Sequence, residues 1–453
     1  MTTAGTTISA RVADIAGSQN VLGDPAELVA YEIGGKIPAA GVRPESAAQI
    51  GEIVKFAAAE KLAIAPCGAR TKLDMGLAPQ RYDLALDLSR LDRVVAYDPG
   101  DMTLSVEPGI PLRLIESVLG EHRQFLPLVV PFMERATAGG TIASGVDSPL
   151  RQSYGTARDY VLGIEFVTGD AAAAKSGGRV VKNVSGYDLH KLMIGALGTL
   201  GVLTRINFRT FPLPAATRTI VATFDSATGA VDLRHAIAHS PLRPLTLEIL
   251  SPGAAELLRV AGSPLNRGWS VVTSFAGTAN VLERCAQNLR QMAERNAATA
   301  FAPIEEERLL AASRRIGEFV SVALASSPAA TIVKLSVLPT NMRAILDAAA
   351  KAADAAALPW ATLARGVGVI CFALLPAARN KDTLPRITRV SDEIFTQCAA
   401  LGGNATIPWC PAEWKAALPI WGPARSDLGQ MRALKKVFDP HRIFAPGRLM
   451  GGI

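Results

Sequence analysis

The chain has 453 residues, 49% of them hydrophobic and 19% charged, and a formal net charge of +7. That length exceeds one ordinary core and fits two or three domains, and the apolar content excludes general disorder. Basic residues are scattered, often beside acids as in Leu91-Asp92-Arg93, and aromatics make up 6%, which excludes a nucleic-acid surface built on a basic stripe with interleaved aromatics and instead suits anionic small molecules.

Residues 1–39 read as a polar, helix-prone lead-in. Its first residues, Met1 to Thr7, carry neither a basic n-region nor an apolar h-region, so no signal peptide is expected. An amphipathic helix follows through Ile50, Ile53, Val54 and Phe56. Ala63 to Pro66 reads as a buried strand that opens into the loop Cys67-Gly68-Ala69-Arg70-Thr71-Lys72-Leu73. Strands are expected at Leu84 to Leu88, Val94 to Tyr97 and Leu104 to Val106. The last ends in the turn Glu107-Pro108-Gly109 before a helix from Leu112. Beyond turn-rich glycine segments, 177–181 reads as a strand, Leu189 to Gly198 as a helix, and Thr204 to Phe211 as a strand broken by Phe211-Pro212-Leu213-Pro214.

A domain boundary is placed at that break. From 216 to 403 short strands (Thr219–Ala222, Leu245–Ile249, Ser270–Val272, Ile332–Leu335, Val369–Leu374) alternate with helices, the pattern of an α+β unit with a mostly antiparallel sheet. A tail rich in Pro, Trp and Gly is expected from Asn404. No uncharged apolar run is long enough to span a bilayer. Cys67, Cys285, Cys371, Cys398 and Cys410 form no C-x-x-C pair and are odd in number, so no disulfide framework, iron–sulfur cluster or metal site is expected in this chain.

Four segments carry chemistry. The loop at 67–73 can turn backbone N–H groups toward a pyrophosphate, although Gly68 also reads as an ordinary turn glycine; it lacks the G-x-G-x-x-G of a Rossmann loop. Thr137 to Gly145 combines small and hydroxyl residues with almost no bulk, so a planar ligand can press on its backbone. Tyr154 to Gly163 holds an Arg158-Asp159 pair that reads equally as a surface ion pair or as part of a site. The densest is Gly177-Gly178-Arg179-Val180-Val181-Lys182-Asn183-Val184-Ser185-Gly186-Tyr187-Asp188-Leu189-His190-Lys191-Leu192-Met193-Ile194-Gly195-Ala196-Leu197-Gly198-Thr199-Leu200-Gly201-Val202-Leu203-Thr204.

That run resembles the FAD domain of the vanillyl-alcohol-oxidase family, also called the p-cresol-methylhydroxylase (PCMH) type. Within it, the run is similar to the glycolate-oxidase branch, and to the E subunit more than the catalytic D subunit. The tail Phe438-Asp439-Pro440-His441-Arg442-Ile443-Phe444-Ala445-Pro446-Gly447-Arg448 is similar to the family's C-terminal signature, with Ala445 where asparagine is usual.

The resemblance implies an α+β fold: a PCMH-type FAD-binding domain over 40–215, in subdomains of about 40–91 and 92–215, a cap over 216–403, and a tail, 404–453, returning to the FAD domain. It implies FAD contacts from Cys67, Gly68, Ala69, Arg70, Thr71 and Lys72, from Pro108 and Gly109, and from Thr137, Gly139, Gly140, Thr141, Ser144 and Gly145. Tyr154, Gly155, Gly201, Val202 and Leu203 complete that set. No histidine occurs before His122, so the FAD is expected to be non-covalent.

Oxidising a 2-hydroxy acid needs a base, usually histidine, and a cation for the carboxylate. The histidines are His122, His190, His235, His239 and His441. His235 and His239 have i, i+4 spacing but no third ligand, and read as a solvated helix face. His190 reads as structural. Lys334 falls where related dehydrogenases carry a substrate lysine, yet reads more simply as a solvent-facing strand residue. Trp409, Trp414 and Trp421 read as tail packing, with one able to cover a flavin ring.

This thin catalytic kit implies a FAD-binding subunit of a glycolate oxidase (2-hydroxy-acid dehydrogenase) complex. Its partners would be a homologous catalytic flavoprotein and an iron–sulfur subunit, in the cytoplasm and at the inner membrane only through the complex. The alternatives are a stand-alone FAD-dependent oxidoreductase and a redox-idle assembly subunit.

Overall fold

The computed structural model describes residues 3–179, 186–259, 265, 268–304 and 309–453. The lead-in is more than a leader. Helix Thr3–Ala16 buries Ile8, Val12 and Ala16, spaced four apart on one face, against Ile50, Ile53 and Val54 of helix Ala47–Ala59. Ser46 caps the latter, its hydroxyl accepting from the Gln49 amide at 3.2 Å. Val21–Leu22 then pairs antiparallel with Ala40–Val42, the start of a four-stranded sheet continued in parallel by Leu84–Asp87 and Ile64–Cys67.

A second, five-stranded antiparallel sheet has the order Val94–Asp98, Thr103–Val106, Val202–Arg209, Val161–Val167, Ala173–Gly177. Leu104, Val106, Ile206 and Phe208 bury one face of it with Leu112, Ile115 and Leu119 of helix Leu112–Gly120. The strand expected at 177–181 ends at Gly177, and Val180, Val181, Lys182, Asn183, Val184 and Ser185 lie outside the described residues. The helix expected from Leu189 to Gly198 is the single turn His190–Met193. Gly195 and Gly198 follow with φ of 85° and 71°, which a right-handed helix cannot continue through.

The turn between the two sheets is tight. A Cβ on Gly109 would lie 2.0 Å from the Leu88 carbonyl oxygen and 2.8 Å from that of Leu91, both backbone atoms. Gly109→Ala is therefore expected to cost about 3 kcal/mol, read as a lowered urea midpoint at unchanged slope. An unchanged midpoint would show that the turn yields freely.

The remaining chain is built around an eight-stranded antiparallel sheet. Its order is Ala300–Ile304, Thr217–Phe224, Trp269–Ala276, Thr246–Leu250, Trp360–Arg365, Val369–Leu374, Thr331–Ser336, Asn404–Trp409. Three of these strands, at 300–304, 360–365 and 404–409, are absent from the sequence expectation. The stretch from Asn404, read as the start of the tail, begins instead as the strand that pairs with Thr331–Ser336. The two faces follow the period of two. Val333 and Leu335 join the core under helices Ala227–Ala238, Ala279–Arg295, Met342–Ala355 and Thr383–Ala400. Ile332 joins a cluster with Met75, Leu197, Phe319, Leu363 and Trp409, which bridges the sheet to the N-terminal half.

The end of the chain returns to the first sheet. Ile443 accepts from the Ile64 amide at 2.7 Å, and the Ala445 amide donates to Ile64 at 2.9 Å, so 443–445 runs as a parallel bridge beside Ile64–Cys67. Buried Asp439 fixes this segment by accepting from the Ile443 and Phe444 amides, with the Lys435 ammonium 2.7 Å away. Lys435 also donates to the carbonyls of Thr199 and Phe444.

Candidate functional site

A cleft enclosing about 670 Å³, partly open to solvent, lies where the two small sheets meet. Its floor is the loop after strand Ile64–Cys67. Cys67, Gly68, Ala69, Arg70, Thr71 and Lys72 all line it, and no N–H from Gly68 to Lys72 finds an acceptor among the described residues. Successive unpartnered amides form an anion-binding nest. The opposite wall is Pro108, Thr137, Gly139, Gly140 and Ser144, with Gly201 and Leu203 closing the end.

The small-residue segment is the helix Ala138–Ser144. The Thr137 hydroxyl accepts from the Gly140 amide at 3.3 Å, and Gly145 ends the helix in the left-handed region at φ 59°. The loop and this helix touch closely: a Cβ on Gly68 would lie 2.3 Å from the Thr137 hydroxyl oxygen.

Two cations line this cleft with no acidic partner in ion-pair range among the described residues. Lys72 is 7% exposed and donates only to the Thr71 hydroxyl, at 3.2 Å; burial pushes its ammonium down to about 8, although Glu318 opposes the shift. Arg448, from the C-terminal tail, is 3% exposed. Its Nη2 donates to the carbonyls of Leu73 at 2.5 Å and Met75 at 3.4 Å, its Nε has no partner, and burial pushes it down to about 10. A buried charge without a counter-charge is costly. Two such cations, an amide nest and a wall of small residues fit an elongated, doubly anionic cofactor with a flat ring.

The loop is anchored from the lead-in. The Arg70 guanidinium lies 4.6 Å above the Tyr31 ring and donates to its hydroxyl at 2.9 Å. Tyr31 in turn donates to buried Asp87 at 2.5 Å, and Arg43 pairs with Asp87 at 3.3 Å. Burial and Asp87 hold the Tyr31 phenol well above its ordinary range. The Arg70 side chain thus positions the loop while its backbone faces the cleft.

The other expected contact residues sit elsewhere. Gly109 does not line the cleft and packs on the Leu88 and Leu91 carbonyls. Thr141 is buried in its helix, with a hydroxyl that has no partner. Val202 is fully buried between two lining neighbours. Tyr154 packs edge-on against Phe125 at 5.3 Å and Phe211 at 4.9 Å, and the Gly155 amide donates to Arg151. Arg158 and Asp159 do not pair with each other: Asp159 forms a capping box with Thr156, and Arg158 donates to the Lys191 carbonyl. Gly145 faces a second cavity.

That second cavity, about 1140 Å³ including its open mouth, adjoins the first at Ser144 and Leu197 and runs beneath the large sheet. Lys334 lines it half-buried, which corrects its reading as a solvent-facing residue. Register places Lys334 opposite Cys371 on one neighbouring strand and Thr406 on the other. Trp409 and Trp421 line the same space.

Beside Lys334 runs a buried ion network: Arg365 donates to Asp147 at 2.7 Å and to Glu248 at 3.1 Å, and Asp147 also pairs with Arg151 at 3.3 Å. Burial opposes charge on Asp147, but Arg365, Lys334 and Arg151 hold it below the usual carboxylate range. Glu248 differs. Burial, with Asp147 adding to it, outweighs its single contact with Arg365 and pushes it up to about 8, and its Oε2 has no partner.

A raised carboxyl favours the protonated fold, so this contribution to stability is complete below the unfolded value and is lost as pH rises toward about 8. Glu248→Gln keeps an acceptor for Arg365 and removes the titration. Its stability is expected to gain on wild type by up to about 1 kcal/mol per pH unit between pH 5 and 8, in urea melts across that range. Parallel curves would overturn the assignment.

His235 and His239 are exposed on helix Ala227–Ala238 and its cap, rings 4.2 Å apart. His190 is buried, with Nδ1 3.2 Å from the Ser176 hydroxyl. Among the described residues no group of three His, Cys, Asp or Glu side chains is arranged for a metal, and no helix is long and apolar enough to cross a membrane.

Fold and clefts together define a flavin-dependent oxidoreductase of two-part architecture. The model of the FAD binding domain matches residues 38–176, and that of the FAD linked oxidases, C-terminal domain, matches 213–407 and 422–449. The chain belongs to the FAD-linked oxidases with a PCMH-type FAD-binding domain, and its cofactor is FAD.

The chain is 27% identical to "Glycolate oxidase subunit GlcD" of Bacillus subtilis over 91% of its length and 89% of that protein. It is 26% identical to the mitochondrial cytochrome D-lactate dehydrogenase of Arabidopsis thaliana, over 91% and 74%. Similarity to "Glycolate oxidase subunit GlcE" of Escherichia coli reaches 38% but spans 36% of this chain and 47% of that protein. The E-type resemblance of the motif is therefore local, and the full-length likeness is to a D subunit. The fold matches p-cresol methylhydroxylase with a TM-score of 0.79 at 16% identity, covering 99% of this chain and 97% of that one. It also matches alkyldihydroxyacetonephosphate synthase at 0.74 and 17% identity, covering 98% and 86%.

Proposed function

We propose that the chain is a FAD-binding subunit of a 2-hydroxy-acid dehydrogenase complex, and that it binds the acid in its own second cavity. The observation that carries this is the junction of two cavities at Ser144 and Leu197, one lined by Lys72 and Arg448 and the other by Lys334, none of which has an ion-pair partner among the described residues. Residues 40–215 with the returning tail hold the cofactor, and the large sheet roofs the substrate. The FAD is held non-covalently. The Cys67 thiol contacts the Leu86 carbonyl at 3.7 Å, and burial, then Asp87, keep it protonated; no histidine is among the residues lining either cavity.

FAD, when bound, supplies the acceptor for the two electrons that leave the substrate carbon as hydride. The hydroxyl proton leaves separately, giving the 2-oxo acid. Lys334 takes the carboxylate. Arg365, already paired with ionised Asp147 and hydrogen-bonded to Glu248, fixes Asp147 rather than the ligand.

Asp147, held ionised, is a weak base for the hydroxyl proton. That favours a second reading, in which this flavin relays electrons between a homologous catalytic subunit and an iron–sulfur subunit, and membrane contact comes only through them. An anaerobic visible spectrum before and after adding a 2-hydroxy acid separates the two: bleaching supports oxidation here, and a persistent oxidised spectrum moves it to the partner. Lys334→Met is expected to weaken carboxylate binding about ten- to hundredfold. Unchanged affinity by calorimetry would remove Lys334 from the site.

A further inference from the structure

The second cavity is larger and more apolar than a two-carbon acid requires. Met75, Phe319, Val320, Leu363 and Trp409 all line it, and each is under a tenth exposed, so this part of the wall is a packed apolar surface shielded from bulk water. Trp421 adds a further aromatic wall, half-buried, with its indole N–H donating to the Arg448 carbonyl at 3.1 Å. The charged groups of this lining gather at one place, while the neutral polar ones, Ser144 and Thr406 among them, are small. Lys334 stands beside the Asp147–Arg365 pair, and Ser336 and Asn404 are exposed where the cavity opens.

A ligand tied to Lys334 by its carboxylate therefore has apolar surface around the rest of it. A two-carbon acid would leave that surface facing trapped water, whereas an aromatic or branched side chain would cover it. Burial of apolar surface is favourable in proportion to the area removed from water, and enclosed, mostly apolar pockets with few convergent polar groups select ligands in this way. We infer that the acid this cavity takes carries a bulky apolar side chain, aromatic or branched, rather than the glycolate that the sequence resemblance implies. This rests on the reading of the second cavity as the acid site.

The test uses the flavin-loaded protein and isothermal calorimetry with two non-oxidisable carboxylates, acetate and phenylacetate, and the neutral 2-phenylethanol. Anaerobic spectra with glycolate and with each enantiomer of 3-phenyllactate accompany it. Phenylacetate is expected to bind at least ten-fold tighter than either acetate or 2-phenylethanol, and 3-phenyllactate to bleach the flavin at lower concentration than glycolate. If phenylacetate is preferred but no hydroxy acid bleaches the flavin, the ligand class stands and oxidation by this chain falls. If acetate binds as tightly as phenylacetate, or glycolate bleaches as readily as 3-phenyllactate, the inferred side chain is wrong while the hydroxy-acid reading survives. If no carboxylate binds, both are overturned.

Discussion

Replacing Arg448 with methionine is expected to loosen FAD, raising its dissociation constant about ten- to hundredfold. The guanidinium lines the cofactor cleft with its buried Nε unpartnered, and nothing acidic among the described residues lies in ion-pair range. A charge-assisted hydrogen bond to an anionic group contributes about 1.5–3 kcal/mol. The same change takes the donor from the Leu73 and Met75 carbonyls, so apo-protein stability should also fall, by about 1–3 kcal/mol. Arg448→Lys keeps the charge but loses the fork, and should recover stability less well than affinity. Fluorescence titration of apo-protein with FAD reads the first effect and urea melts the second. Unaltered FAD affinity in the methionine variant would make Arg448 a structural clamp and no more.

Arg365→Met is expected to be the most destabilising single change, at about 3–5 kcal/mol. It leaves Asp147 and Glu248 close together and buried with their shared cation gone. Both carboxyls would then titrate above their unfolded values. The deficit should accordingly be small below about pH 4 and grow as pH rises toward neutrality. Combining it with Asp147→Asn and Glu248→Gln should return most of the loss, because an uncharged trio no longer needs the arginine. A full-sized deficit at pH 4, or no recovery in the triple variant, would show that packing around Arg365 matters more than its charge.

Much of the cofactor half was legible because its signals are local. The strand into the 67–73 loop, the Pro108-Gly109 turn and the helix from Leu112 each follow from a handful of adjacent residues. The segment Thr137 to Gly145 announced close packing but not its conformation. Glycines lower helix propensity, and only the Thr137 cap and the left-handed Gly145, seen together, mark a short helix. The strands at 360–365 and 404–409 were missed: the second contains Pro408 next to Trp409, a pairing that reads as a turn.

The chemistry of the second cavity was illegible for a different reason. Asp147, Glu248 and Arg365 meet from three distant stretches, and nothing in one stretch names the others. A usable hint was present all the same: Glu248 sits in Thr246-Leu247-Glu248-Ile249-Leu250, an apolar strand with one acid, and every residue of it is buried. A charge in such a strand needs a partner. Lys334 carried the same hint in Ile332-Val333-Lys334-Leu335.

The parallel bridge beside Ile64 sets a timetable for the nascent chain. Arg448 reaches back to Leu73 across 375 residues, and Ile443 and Ala445 complete the sheet edge beside the 67–73 loop. A ribosome making this protein exposes the loop 375 residues before the arginine that closes it. The N-terminal half must therefore wait, incompletely closed and without Arg448, until the whole large sheet has been synthesised. Tight FAD capture therefore follows synthesis of residues 443–448, and a chain terminated before Ile443 is expected to fold its middle and hold flavin more weakly.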